Sequence, residues 1–308
     1  MTRIIAAFVS ALLLWQPVVA QDNRVFKIIS SFPVGSGPDT LSRKIADELT
    51  KELGMPVIID NRPGGNGVLA LNQALKEDPN SYILYSGNDN MIQYPALTDR
   101  GLVDRFRGLR QAMWSELMLA TGPGITDLQQ LAAGGTVNYG SWGMGSAAHM
   151  LGLEFSRGLN LRDPVHAPYR DYGAWFSDVS NGVLTFSFVT IASTQALERA
   201  GKLRYHAVVG SQRNPRYLNV PTLQELTGQT AHAIGWAGFF VHQSLDPKKE
   251  QDLKRSLDRV YRTPAVVDSL RNLDYNAKDM SINEFRSLIQ QEQTKFTAFV
   301  RANNISIK

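Results

Sequence analysis

The 308-residue chain has no cysteine, only five histidines and no clustered run of basic residues. Without cysteine it forms no disulfide, carries out no thiolate chemistry and takes no lipoprotein anchor. The histidines, at 149, 166, 206, 232 and 242, show no metal-ligand spacing, so no metal site is expected. The net charge of +4 is a small excess of Lys and Arg spread over the chain, which gives no reason to expect nucleic acid. A Walker loop and a Gly-x-Ser-x-Gly nucleophile elbow are both missing, which argues against an NTPase or a serine hydrolase.

Only one apolar run stands out, and it lies at the start. Arg3 supplies a positive charge, Ile4 to Leu14 an apolar stretch, and Val18-Val19-Ala20 a small-residue ending before Gln21. Residues 1–20 therefore read as a secretory signal peptide, too short to span a bilayer. An exported chain without cysteine is expected to be a soluble periplasmic protein. At 43% hydrophobic and 19% charged, the sequence is that of a soluble globular protein long enough for two domains.

The stretch that organises the rest is Tyr139 to His149, Tyr-Gly-Ser-Trp-Gly-Met-Gly-Ser-Ala-Ala-His. It follows a β-prone run, Thr136 to Tyr139, and precedes a helix-like run, Ala147 to Arg157. A strand ending in a glycine-rich loop at a helix N-terminus presents backbone N–H groups and the positive end of a helix dipole to an anion. The same glycines also suit a plain left-handed turn.

An earlier copy of this device runs from the apolar Val25–Ser31 through Phe32-Pro33-Val34-Gly35-Ser36-Gly37-Pro38-Asp39 into a helix marked by Leu41, Ile45 and Leu49. In both copies a Gly-x-Gly pair stands ten residues ahead of an aliphatic expected to be buried, Gly35 before Ile45 and Gly143 before Leu153. Two such units about a hundred residues apart predict two similar α/β lobes.

Further strands are predicted at 55–60, 82–86, 113–121, 165–169, 183–189, 203–210 and 235–242, with helices between most of them, an irregular stretch at 101–111 and a helical tail from 246. The expected fold is α/β and two-lobed, each lobe a mostly parallel sheet flanked by helices, with a hinge and a ligand cleft between. Residues 22–112 and 236–308 form lobe 1, and residues 113–235 form lobe 2. Ligands in such folds bind beyond the carboxyl ends of the strands.

These segments resemble the tripartite tricarboxylate transporter receptors, also called Bug-type solute receptors. The resemblance covers nearly all of the mature chain. It rests on Phe32 to Asp39, Asp60-Asn61-Arg62-Pro63-Gly64, Tyr139 to His149, His166 to Arg170, Asn219-Val220-Pro221-Thr222 and the ending Asn304 to Lys308. It implies a monomeric periplasmic binding protein, without catalysis or cofactor. Such a protein traps a small carboxylate and delivers it to a membrane permease, or reports it to a sensor protein.

The resemblance also implies that the carboxylate lies between the first loops of the two lobes, largely on backbone amides and water. The first-lobe candidates are then Phe32, Val34, Gly35, Ser36 and Asp39, with Ser86, Gly87 and Asn88 as neighbours. The second-lobe candidates are Ser141, Gly143, Gly145, Ser146 and His149. Tyr169 and Phe188, near the carboxyl ends of second-lobe strands, join the set. Arg170 is placed to meet a distal ligand acid or to form a surface ion pair.

Two departures bear on the ligand. Thr185 and Val189 stand where the family commonly places aspartates, and Trp142 and Met144 replace smaller or more polar residues. Trp142 thereby becomes a candidate contact, and the expected ligand is a carboxylate with an aromatic or otherwise apolar body.

Other chemistry fits less well. Gly143 to Ala148 matches a loose dinucleotide fingerprint, with Asp163 further on, but an exported protein meets little nicotinamide cofactor. Ser141 and Ser146 lie near His149, as a hydrolase would need. Yet a histidine in a helix's first turn, without a nucleophile elbow, is better explained by hydrogen bonding or packing. An enzyme acting on small carboxylates is thus the weaker alternative.

Overall fold

Consecutive isoleucines show how the first lobe is built. The computed structural model describes residues 25–87, 89–98, 101–133, 136–162, 164–169, 171–228 and 235–302; the predicted signal peptide, Asn88 and Arg170 lie outside these. In strand β1 (Phe26–Ser30), Ile28 enters one core cluster and Ile29 another. Neighbouring strand residues point to opposite faces, so a strand with helices on both sides reads as one continuous apolar run.

From β1 the chain passes through α1 (Gly37–Leu53), β2 (Val57–Asn61), α2 (Val68–Ala74), β3 (Tyr82–Gly87), the short α3 (Tyr94–Leu97) and β4 (Phe106–Ser115). It then builds the second lobe. This comprises β5 (Leu117–Thr121), α4 (Gln129–Ala133), β6 (Asn138–Ser141), α5 (Ala147–Gly158), β7 (Val165–Pro168), α6 (Tyr172–Ser180), β8 (Phe186–Thr190), α7 (Ile191–Arg199), β9 (Arg204–Val209) and α8 (Leu223–Thr227). Strand β10 (Gly235–His242) returns to the first lobe, followed by α9 (Pro247–Val260), α10 (Pro264–Asn272) and α11 (Ile282–Ala302).

The sheets run β2-β1-β3-β10-β4 and β7-β6-β8-β5-β9. In each, one strand is reversed against both neighbours: β10 in the first and β5 in the second. These are the strands that carry the chain across. The alternation of β1 recurs in β5, where Leu117 and Leu119 enter one core and Met118 and Ala120 the other.

Three expectations are corrected. The stretch 101–111 contains six residues, 106–111, of the ten-residue β4. Its strand character was masked because Arg110 and Gln111 are 3% and 2% exposed. Arg110 is tolerated there because it pairs with Asp258 at 3.0 Å and lies over the Tyr261 ring at 3.6 Å. Strand β8 begins at Phe186, because Val183 is 58% exposed and belongs to the preceding turn. Leu153 is only half-buried, and Leu151 and Phe155 carry the buried face of α5.

The tail is integral to the first sheet. A side chain on either Gly108 or Gly238 would collide with Phe285 of α11, whose ring fills the space those glycines leave. Phe285→Ala is expected to destabilise the first lobe by about 3–5 kcal/mol, read as a lower urea midpoint by circular dichroism. An unchanged midpoint would mean the tail packs independently.

Candidate ligand-binding site

Both organising loops are built by the same local rule. In the first lobe Ser36 caps α1 by accepting the Asp39 N–H, and Gly35, at φ 78°, donates its N–H to Asp39 Oδ2 at 2.8 Å. In the second, Ser146 caps α5 by accepting the His149 N–H, and Gly145, at φ 77°, donates its N–H to His149 Nδ1 at 3.0 Å. The structural equivalent of Gly35 is therefore Gly145, two residues beyond the Gly143 that the Gly-x-Gly spacing suggested. Ten residues on, this register matches Ile45 with the buried Phe155 and accounts for the half-exposed Leu153.

Asp39 and His149 hold these loops from behind. Asp39 is 1% exposed, and its carboxylate also accepts Asn61 Nδ2 at 2.9 Å and Arg43 Nε and Nη2 at 3.0 and 3.1 Å. Burial would raise its pKa, but the Gly35 N–H, Asn61 and Arg43 together hold it below the ordinary value. Asn61 reaches further and donates to the Phe32 carbonyl at 3.1 Å, which ties the Asn-Arg-Pro-Gly segment to the first loop.

His149 is buried and stacks on His166 with ring centroids 4.0 Å apart. Burial pushes its pKa down to about 4. His166 is pushed to about 3 by burial and then by His149. Both rings are neutral at ordinary pH. Ser141 Oγ meets His166 Nε2 at 2.7 Å and accepts the Gly143 N–H at 3.1 Å, so this serine also shapes the loop.

Between the lobes the two loops come into contact. Trp142 Nε1–H donates to Asp89 Oδ2 at 3.0 Å, joining the second-lobe loop to the segment after β3. Gly143 faces Asn66, where an added Cβ would lie 3.1 Å from Asn66 Oδ1. Asn66 itself is left-handed at φ 48°, between Gly65 at 57° and Gly67 at 84°.

The Asn90 amide, turned so that both ends are satisfied, donates to the two Asp89 oxygens at 2.9 and 3.0 Å and accepts the Gly67 N–H at 3.1 Å. Burial pushes Asp89 up to about 6, against hydrogen bonds from its own N–H, the Trp142 indole and the Asn90 N–H. Gly87 lies directly against this carboxylate: a Cβ there would be 2.4 Å from Asp89 Oδ1 and 3.5 Å from Phe32 Cζ. Trp142 rests edge-on against Trp175 at 5.7 Å, and Trp175 is anchored by donating to Ser187 Oγ at 3.0 Å.

The expected site residues thus fall into groups. Phe32, Gly87, Trp142 and Gly143 meet around Asp89 and Asn66. Val34 is 70% exposed at the tip of the first loop, and Ser36, Gly145 and Ser146 stand at the two helix starts. Ser86 is buried with its hydroxyl 3.1 Å from Ser31 Oγ, and with Asp39, Ser141 and His149 it supports the loops. Tyr169 OH donates to Asp178 Oδ2 at 2.5 Å. Phe188 is fully buried, 5.8 Å from Phe155 and 6.2 Å from Phe186, because β8 turns it toward α5. Asn88 lies outside the described residues. Asn66 and Asp89 were missed, although an asparagine within Gly-Gly-Asn-Gly marked one and the adjoining Ser86–Asn88 the other.

Two helix-flanked sheets, between which the chain crosses twice, with a serine-capped helix start in each, make a two-lobed fold. The sequence profile of the tripartite tricarboxylate transporter family receptor matches residues 41–305, and the chain belongs to that family of periplasmic substrate-binding receptors, which are not enzymes. The match begins inside α1, after the first loop. The chain is 25% identical to Protein BugT of Bordetella pertussis, with 100% of this chain and 99% of the relative covered.

Among solved structures it resembles MatC from Rhodopseudomonas palustris with bound malate, at 21% identity and a TM-score of 0.77, covering 89% of this chain and 99% of that one. It also resembles Rpa4515 of R. palustris with adipate, at 17% identity and a TM-score of 0.81, covering 91% and 98%.

The neutral histidines dictate how stability responds to acid. His206 is likewise lowered to about 4, chiefly by burial. The unfolded chain protonates its histidines near pH 6.5 and the folded one does not, so stability present above pH 6.5 is lost as pH falls toward 4. Asp89, raised in the folded state, partly offsets this by gaining stability below about pH 6. His166→Gln is expected to shrink the loss of stability between pH 7 and 4.5 by about 2 kcal/mol, measured by urea unfolding across that range. An equally steep loss in the variant would contradict it.

Proposed function

We propose that the protein is an exported receptor that captures a small carboxylate between its lobes and hands it to a membrane permease of a tripartite carboxylate transporter. The observation that carries this is the pair of serine-capped helix starts, α1 and α5, presented from opposite lobes beside the Asp89–Trp142 contact. A helix N-terminus favours an anion by about 0.3–1 kcal/mol, and each hydrogen bond to a charged group contributes about 1.5–3 kcal/mol. A few backbone donors therefore hold a carboxylate without an arginine clamp. The malate in MatC and the adipate in Rpa4515 support a small carboxylate as the ligand class.

In this reading Phe32, Val34, Ser36 and Gly87 line one wall, and Trp142, Gly143, Gly145 and Ser146 the other. The partly buried ring of Trp142 favours an acid with an apolar body. The lobes hinge where Glu116 separates β4 from β5. Near that hinge Asn214 donates to Glu116 at 2.8 Å and Arg216 pairs with Asp274 at 3.1 Å. Ligand that bridges both walls shifts the open–closed equilibrium toward closure.

The mature protein, residues 21–308, is expected to gain about 2.7 kcal/mol of stability at a hundredfold excess of ligand over its dissociation constant. A thermal-shift screen of mono-, di- and tricarboxylates, aliphatic and aromatic, measures this. Mass spectrometry of whatever the denatured protein releases covers a co-purified ligand. The reading is overturned if no acid shifts the midpoint and none is released.

A further inference from the structure

The two helix starts differ in charge, and the difference gives the cleft a direction. At the α1 start the acceptor of the Gly35 N–H is a buried carboxylate, Asp39, which is itself ion-paired with Arg43. The equivalent position at α5 is His149, a neutral ring. The first-lobe side carries a second anion at the interface itself. Asp89 lies against Gly87, which is itself close to Phe32, and accepts the Trp142 indole N–H from the second lobe.

This carboxylate is fixed, and at pH 7.5 it is charged, above the value of about 6 to which burial raises it. The Asn90 amide donates to both of its oxygens, Trp142 Nε1 donates to one, and the Asp89 and Asn90 N–H groups add to them. Donors to the charged form favour it, and no described basic side chain is bonded to Asp89 to neutralise it. Two carboxylates brought close in a partly desolvated cleft repel strongly, and like charge is one device for rejecting an unwanted partner.

We propose that Asp89 is the specificity-determining residue of the cleft. It confines the receptor to acids with a single carboxylate, seated toward the α5 start, whose opposite end is neutral or cationic. The inference rests on the carboxylate-receptor reading and narrows it. By this logic the chain is selective against dicarboxylates, the class to which both malate in MatC and adipate in Rpa4515 belong.

The test uses length-matched probes that differ only at the far end: hexanoate, adipate and 6-aminohexanoate, and 4-methylbenzoate, terephthalate and 4-(aminomethyl)benzoate. Calorimetry at pH 7.5 on residues 21–308 is expected to show each dicarboxylate binding at least tenfold more weakly than its methyl or ammonium counterpart. Asp89→Asn keeps the shape and an acceptor for Trp142 but removes the charge, and is expected to raise dicarboxylate affinity at least tenfold and to lower the ammonium preference.

A dicarboxylate that binds the unmodified protein as tightly as its methyl counterpart would overturn the inference while leaving the receptor standing. So would an Asp89→Asn protein, folded by circular dichroism, with an unchanged ranking. Binding of no probe by either protein, with other carboxylates also silent in the thermal-shift screen, would overturn the receptor reading and the selectivity with it. If the wider screen finds a tricarboxylate as ligand, the selectivity alone is lost.

Discussion

Everything at the cleft depends on one hydrogen bond repeated in two places, from a glycine N–H to the side chain four residues further on. Gly35 donates to Asp39 and Gly145 to His149. In each case the intervening serine caps the helix, and the glycine's left-handed backbone lets the chain turn sharply from strand to helix. The bond keeps each loop close to the helix that follows it. The loop tips are then free to face the other lobe. Were His149 lost as acceptor, the buried Gly145 N–H would be left without a partner, which costs about 1–3 kcal/mol, whereas Gly35 is exposed and its N–H can turn to water.

The sheets supply the rigid frame for this pair. Each has one reversed strand, β5 or β10, and at β5 the chain passes from one sheet directly into the other. A single residue, Glu116, separates β4 from β5, which confines relative motion to a narrow place. Behind the second loop, the stack of His149, His166 and Tyr139 forms a dry wall whose histidines remain neutral because burial disfavours their charge. On the facing side the same desolvation raises Asp89 without removing its donors. In the proposed cleft, a wall of neutral rings then faces one that carries the Asp89 carboxylate.

Much of this was legible along the chain. The apolar run at β1, the Ser36 cap, Gly54 at the end of α1 and the two strand–loop–helix devices all announce themselves by composition and spacing. Where reading failed, a partner distant in sequence had changed the meaning of a residue. β4 looked irregular because Arg110 is matched by Asp258, well over a hundred residues away. The loop register was off by two because Gly143-Met144-Gly145 offers two glycines, and only the bond to His149 shows which one starts the helix. The family resemblance set Asp39 among the ligand candidates, and its side chain turns into the lobe. Asn61 and Arg43 draw it inward.

Taken alone, the sequence determined the class: two α/β lobes, a leader-like start, no cysteine chemistry and glycine-rich loops suited to an anion. These are properties of composition and of local periodicity, which act over a few residues and survive without knowledge of partners. Only the tertiary structure decided which loop residues face the cleft and which stand behind it. It placed Asp89 and Asn66 against Trp142 and Gly143, residues more than fifty positions away or close to eighty in the case of Asn66. The physical reason is that charge selectivity depends on distance in space, and the approach of two lobes is set by the packing of whole sheets rather than by any one segment.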